Sequence, residues 1–215
     1  MIKRIGSGTL EFTDPPKIVS YASVVGKKEG EGPLGGSFDK IIYDSYDGLD
    51  TYEDAESSLQ TEAMSLALQK GGLKKTDIGV VFAGDLLNQC VGSSFGLKEY
   101  NIPYLGQYGA CSTMAQCLIA ASVFVSSGAA VRAACSTSSH FCSAERQYRF
   151  PLEYGSVRTP TAQWTVTGAG CCILGSGGGS VGIKRATVGR IIDLGVTDAN
   201  NMGAAMAPAI CIIEP

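Results

Sequence analysis

Tyr108-Gly109-Ala110-Cys111-Ser112-Thr113 holds the key to the architecture of this chain. Before it, Ile102 to Tyr108 reads as a strand; from it, Cys111 to Val125 reads as a mostly apolar helix carrying Met114, Cys117, Leu118, Ala121 and Val125. The small Gly109 and Ala110 allow a sharp turn out of the strand, which lifts the Cys111 sulfur to the top of a sheet. A helix with apolar residues around most of its circumference is a central one. A buried strand turning into a buried helix is a building unit of layered α/β domains.

Working outward, the same alternation recurs. Lys17 to Gly26 reads as a first strand, bounded by prolines and glycine. Gly26 to Gly48 is a long polar excursion around Gly32 to Gly36, and loops of that length in a compact domain are often functional. Thr51 predicts a helix N-cap, with Glu53 and Asp54 in the first turn where the helix dipole favours acids. Ala55, Leu59, Ala63, Leu66 and Ala67 then share one face, and Lys70-Gly71-Gly72 closes the helix. Asp77 to Ala83 is a continuous apolar run, the pattern of a strand covered on both faces, and it leads into Gly84-Asp85-Leu86-Leu87-Asn88-Gln89.

Downstream of the helix, Ala130 to Ser136 reads as another buried strand, ending in Thr137-Ser138-Ser139-His140. A loop with Arg146, Arg149 and Arg158 is expected up to Trp164, followed by a strand over Ala169 to Leu174 and a further strand-like stretch from Val181 to Leu194. Gly175 to Ser180 lacks the lysine and following helix of a phosphate loop and predicts a hairpin turn. The whole pattern predicts an α/β fold: a mixed or parallel sheet with helices on both faces.

Composition narrows the function classes. Among 215 residues, 45% are hydrophobic and 17% charged, a balance that suits a buried core. The net charge of −3 gives no basic footprint for nucleic acid. Ser126-Ser127-Gly128 and Arg132 interrupt the longest apolar stretch, so a helix turning into a strand fits it better than a membrane span. Lys3 and Arg4 lead into Gly, Ser and Glu rather than a signal-peptide core. With that pattern, eight cysteines read as free thiols in a reducing, cytoplasmic compartment. One histidine and no C-x-x-C spacing argue against a structural metal site. Cys171 and Cys172, being adjacent, are expected on opposite faces of a strand.

The chemistry is expected at one sheet edge. Backbone N–H groups at the start of the Cys111 helix favour negative charge, either a thiolate nucleophile or a bound carboxylate. Asp85 and His140 each follow another expected strand. In open α/β sheets the carboxyl ends of parallel strands carry the ligand, so three such loops converge. His140 is the only histidine, so any Cys–His pair in the chain uses it.

Glu31-Gly32-Pro33-Leu34-Gly35, Ala83 to Gln89, Gly109 to Thr113, Ser138-Ser139-His140, Trp164 to Gly170 and Asn201 to Pro208, taken together, resemble the stage V sporulation protein AD family. The Gly-Ala-Cys-Ser element alone resembles the wider thiolase and ketoacyl synthase superfamily. The resemblance implies a thiolase-like layered fold with an N-terminal half over residues 1–180 and the start of a truncated C-terminal half over residues 181–215. It further implies binding of dipicolinic acid, alone or as its calcium chelate, during uptake into developing spores, with no cofactor. Asp85, Cys111 and His140 are by that likeness the ligand-pocket residues, and the expected partners are membrane proteins of the same sporulation operon and a second copy of the chain. The location implied is cytoplasmic, peripheral at the spore inner membrane.

An acyl transferase using Cys111 as nucleophile is the competing expectation. Superfamily enzymes complete that chemistry with a His/Asn or His/His pair from their second half, and this sequence has no histidine after His140. Binding is therefore expected ahead of catalysis. A structural subunit at the spore membrane is a third expectation, and the sequence offers no polybasic or amphipathic anchor for it.

Overall fold

The computed structural model describes residues 1–148, 165–197 and 203–204. Nine strands are found there: β1 Ile2–Ile5, β2 Thr9–Phe12, β3 Lys17–Gly26, β4 Lys40–Ile42, β5 Val80–Gly84, β6 Tyr104–Gly106, β7 Arg132–Ser139, β8 Gly168–Gly175 and β9 Arg185–Thr187. The α-helices are α1 Lys27–Gly30, α2 Tyr52–Lys70, α3 Val91–Leu97, α4 Thr113–Ser126 and α5 Phe141–Tyr148. Six strands form the main sheet in the order β4-β3-β8-β7-β5-β6. β8 runs antiparallel to both of its neighbours, so the other five share one direction. A smaller sheet joins β1, β2 and β9.

The strand at Lys17–Gly26 and the helix after Thr51 stand where the residue pattern puts them. Thr51 Oγ1 accepts the Asp54 amide at 3.1 Å and donates to Asp54 Oδ2 at 2.7 Å, which satisfies one of the free N–H groups at the start of α2. On one side of the sheet, Leu59, Ala63, Met64 and Ala67 of α2 pack against Val24, Val81, Ala134 and Ile173. On the other, Cys117, Ala121 and Val125 of α4 pack against Phe82, Cys135 and Leu174. Helices thus cover both faces. Cys171 belongs to the first core and Cys172 packs against the second, as strand alternation requires.

Several local expectations are corrected. The excursion from Gly26 to Gly48 contains α1 and a parallel edge strand, β4, because Val24 to Gly26 still has a free edge to pair. The helix begins at Thr113; Cys111 lies in a 3₁₀ turn, Ala110–Ser112. α4 buries one stripe only, and Met114, Leu118 and Ala120 on its flanks are half-buried, since a single sheet packs on it here. Ile102 to Tyr108 supplies a short strand, Tyr104–Gly106, at the sheet edge. Past Gly175 the chain does not fold back as a hairpin: Gly182 bridges to Lys17, and Arg185–Thr187 pairs with β2 in the other sheet. The segment after His140 opens with α5 rather than a loop. Arg149, Arg158 and Trp164 lie outside the described residues, as does most of the motif from Asn201 to Pro208.

Candidate functional site

The carboxyl ends of β3, β5, β6 and β7 come to one rim of the main sheet, because those strands are parallel. The loops there touch. Cys90 Sγ lies 3.4 Å from Gln107 O, and Ser93 Oγ hydrogen-bonds Tyr104 Oη at 2.9 Å. A Cβ at Gly84 would stand 1.9 Å from Gln107 O, so only glycine allows the β5 loop to meet the Cys111 loop. Backbone strain collects at the same rim: Gln89, Cys90 and Ala110 hold φ of 62°, 55° and 46°. Non-glycine residues pay for such angles with free energy, and they cluster at functional loops.

Asp85, His140 and Cys111 sit on this rim in three different settings. Asp85 is 2% exposed, and its oxygens accept from Leu87 N (2.9 Å), Ser93 N (2.7 Å) and Ser93 Oγ (2.7 Å). It therefore organises its own loop and the start of α3. His140 is also 2% exposed. The Cys142 amide donates to His140 Nδ1 at 3.2 Å, which assigns the proton to Nε2, and Nε2 donates to Ser45 O at 2.8 Å. The imidazole stacks on Tyr52 with ring centroids 5.2 Å apart. Cys111 is exposed.

A cavity of about 400 Å³ opens beside His140, within the range of small-molecule sites. It lies between the segment after β3, the segment after β7 and the approach to β8. Ile42, Ala55, Leu59 and Phe141 give it apolar walls, while Lys27 and Lys28 bring positive charge. Glu29, Glu31, Asp44 and Asp47 bring negative charge to the same lining. His140 and Cys142 belong to the lining; Asp85 and Cys111 do not. The structure thus gathers the three loops onto one rim but gives only one of the three expected side chains to the cavity. Among the described residues, no group of three or more His, Cys, Asp or Glu is placed to hold a metal ion.

Two buried polar residues behind the site, Glu56 and Gln60, do not stand out in the sequence. Glu56 on α2 is fully buried, and its Oε1 and Oε2 lie at hydrogen-bonding distance from Ser138 Oγ (2.9 Å) and Ser143 Oγ (2.8 Å). Burial pushes its carboxyl up to about 7, against the two serine hydrogen bonds; the nearby Asp85 and Glu53 charges add to the rise. Gln60, one turn on, is also fully buried and donates to Gly84 O and Ser138 Oγ, both at 3.0 Å. The signal was present: Glu56 and Gln60 stand four residues apart, beside the apolar stripe of Leu59, Ala63 and Ala67 on α2.

The profile described as Stage V sporulation protein AD matches residues 6–213. The chain belongs to the stage V sporulation protein AD family. Stage V sporulation protein AD of Bacillus subtilis (strain 168) is 43% identical over 208 residues, covering 97% of this chain. The chain spans 62% of that relative's length. Among solved structures, 3-oxoacyl-[acyl-carrier-protein] synthase III from Aquifex aeolicus VF5 is similar with a TM-score of 0.52 at 14% identity, covering 74% of this chain and 53% of its own. An OleA variant of Xanthomonas campestris is similar with a TM-score of 0.51 at 14% identity, covering 77% of this chain and 57% of its own. At such identity these likenesses establish the fold, which is thiolase-like.

Proposed function

We propose that this chain is the N-terminal part of a dipicolinate-binding protein that serves dipicolinate uptake into developing spores, with a thiolase-like fold used for binding rather than condensation. The cavity beside His140 carries this reading. Its apolar walls suit a flat pyridine ring, and Lys27 and Lys28 suit carboxylates. The four acidic residues of the lining oppose a bare dianion, so the calcium chelate, which has no net charge, is the better match. Of the expected ligand residues, His140 acts at the cavity, Asp85 shapes the rim behind it, and Cys111 stands on the outer rim. Membrane proteins of the same sporulation operon and a second copy of the chain are the proposed partners. Attachment at the spore inner membrane through those proteins is part of this proposal; among the described residues no helix is long and apolar enough to cross a membrane.

Titration calorimetry with dipicolinate, with and without equimolar calcium, tests the reading. Binding by the wild-type chain is expected, with loss in Leu59→Trp, whose larger side chain fills the cavity. Equal affinity in the two proteins would move the site elsewhere.

A second reading, acyl transfer, is favoured by the exposed Cys111 thiol behind the strained Ala110. There the thiolate attacks a thioester carbonyl, a new thioester forms on Sγ, and the displaced thiolate leaves and takes up a proton. Intact mass after incubation with acetyl-coenzyme A decides it: an adduct absent in Cys111→Ser supports transfer, and an unchanged mass leaves binding.

A further inference from the structure

A chain of hydrogen bonds runs from α2 to the cavity and contains one proton more than a carboxylate allows. Gln60 Nε2 donates to Ser138 Oγ (3.0 Å), and Ser138 Oγ donates to Glu56 Oε1 (2.9 Å). Glu56 Oε2 lies 2.8 Å from Ser143 Oγ, and Ser143 Oγ lies 3.2 Å from His140 O. A hydroxyl has a single proton to donate. If Glu56 is ionised, that proton goes to Oε2 and the His140 contact lapses. If Oε2 carries a proton, it donates to Ser143 Oγ, Ser143 donates to His140 O, and all four links are made at once.

The surroundings select the second arrangement. A Cβ at Gly92 would lie 3.2 Å from Asp85 Cγ and 3.4 Å from Glu56 Cδ, so the two carboxyl groups flank one spot. Asp85 accepts three hydrogen bonds, the pattern of a carboxylate. A negative charge on Asp85 disfavours a second one on the buried Glu56. We infer that Glu56 is held as the neutral acid and is a positioning residue for the cavity: its proton, relayed through Ser143, fixes the His140–Cys142 turn.

The charged groups acting on Glu56 are Asp85, from the loop before α3, and Glu53 on its own helix. β7 and α5 offer it the Ser138 and Ser143 hydroxyls, and α3 offers Gly92. The His140 ring, Tyr52 and Cys142 are the other titratable groups at the turn, and Glu56→Gln leaves all three in place. Because the Glu56 carboxyl is raised to about 7, its proton contributes stability that is full below the unfolded carboxyl value and is lost as pH rises through about 7. Glutamine supplies both an acceptor and a donor at this place without titrating.

Infrared difference spectroscopy of the full chain between pH 6 and pH 8.5 tests the protonation. The wild-type protein is expected to show the carbonyl stretch of a buried acid at pH 6 that is gone at pH 8.5 and missing in Glu56→Gln. The same band in both proteins overturns the assignment. Ser143→Ala keeps the acid but cuts the relay, so it separates the two parts of the inference. The second part rests on the proposed ligand: calcium dipicolinate is expected to bind on the order of tenfold more tightly at pH 6 than at pH 8.5. That ratio should fall to about one in Glu56→Gln and in Ser143→Ala, each holding the acid band result stated above. An undiminished ratio in both variants overturns the positioning role. No binding at either pH overturns the proposed function and the binding arm with it, while loss of the band in Glu56→Gln still upholds the neutral acid.

Discussion

Ser93 gives both its amide and its hydroxyl to Asp85 Oδ2, each at 2.7 Å. Leu87 N occupies the other carboxylate oxygen at 2.9 Å. The carboxylate thereby satisfies one free amide in the first turn of α3, that of Ser93, from a position six residues before the helix begins. Asp85→Ala leaves these donors buried without an acceptor and is expected to cost about 2–3 kcal/mol. Urea denaturation followed by circular dichroism measures it; a midpoint equal to wild type would show the network to be dispensable.

Gly84→Ala drives a Cβ to within 1.9 Å of Gln107 O, backbone that cannot move without parting the β5 and β6 loops. A loss of about 3 kcal/mol is expected, at the upper end for overpacking. The thermal transition of the variant tests it, and a shift of less than a degree or two would mean that the rim relaxes freely.

The thiols should separate by burial. Cys111 is exposed, whereas Cys117, Cys135 and Cys171 are buried, and burial pushes Cys117 up to about 12 and Cys135 and Cys171 higher than the ordinary thiol range. Alkylation at pH 8 followed by peptide mass mapping should label Cys111 within minutes and leave those three unlabelled until denaturant is added. Early labelling of Cys135 would contradict the packing of the core between α4 and the sheet.

Thr51→Ala removes the acceptor for the Asp54 amide at the start of α2. About 1 kcal/mol of stability should be lost. Thr51→Ser should recover most of it, as judged by denaturation midpoints, since serine keeps the hydroxyl; a serine variant as weak as alanine would assign the effect to the methyl group.

Local patterns were legible wherever one residue's surroundings are set by its own segment. Thr51, the 17–26 strand, the opposed sides of Cys171 and Cys172, and the rim loops after Gly84 and Ser139 all follow from spacing and short-range hydrogen bonding. The strand order was not legible, nor was β4 inside a glycine-rich excursion, because three residues pair only when a free edge happens to be adjacent. Glu56 was missed since a glutamate on a helix is normally solvated; its burial depends on Ser138 and Ser143, more than eighty residues away.

By itself, then, the amino-acid order determined the α/β class and the meeting of the loops that carry Asp85, Cys111 and His140 on one rim. Only the tertiary structure decided that His140 faces a cavity, that Asp85 turns inward to hold α3, and that Cys111 stays on the outside. The reason is physical: periodicity tells which side of an element is apolar, but a polar side chain's role is set by whichever distant donors and acceptors are packed against it.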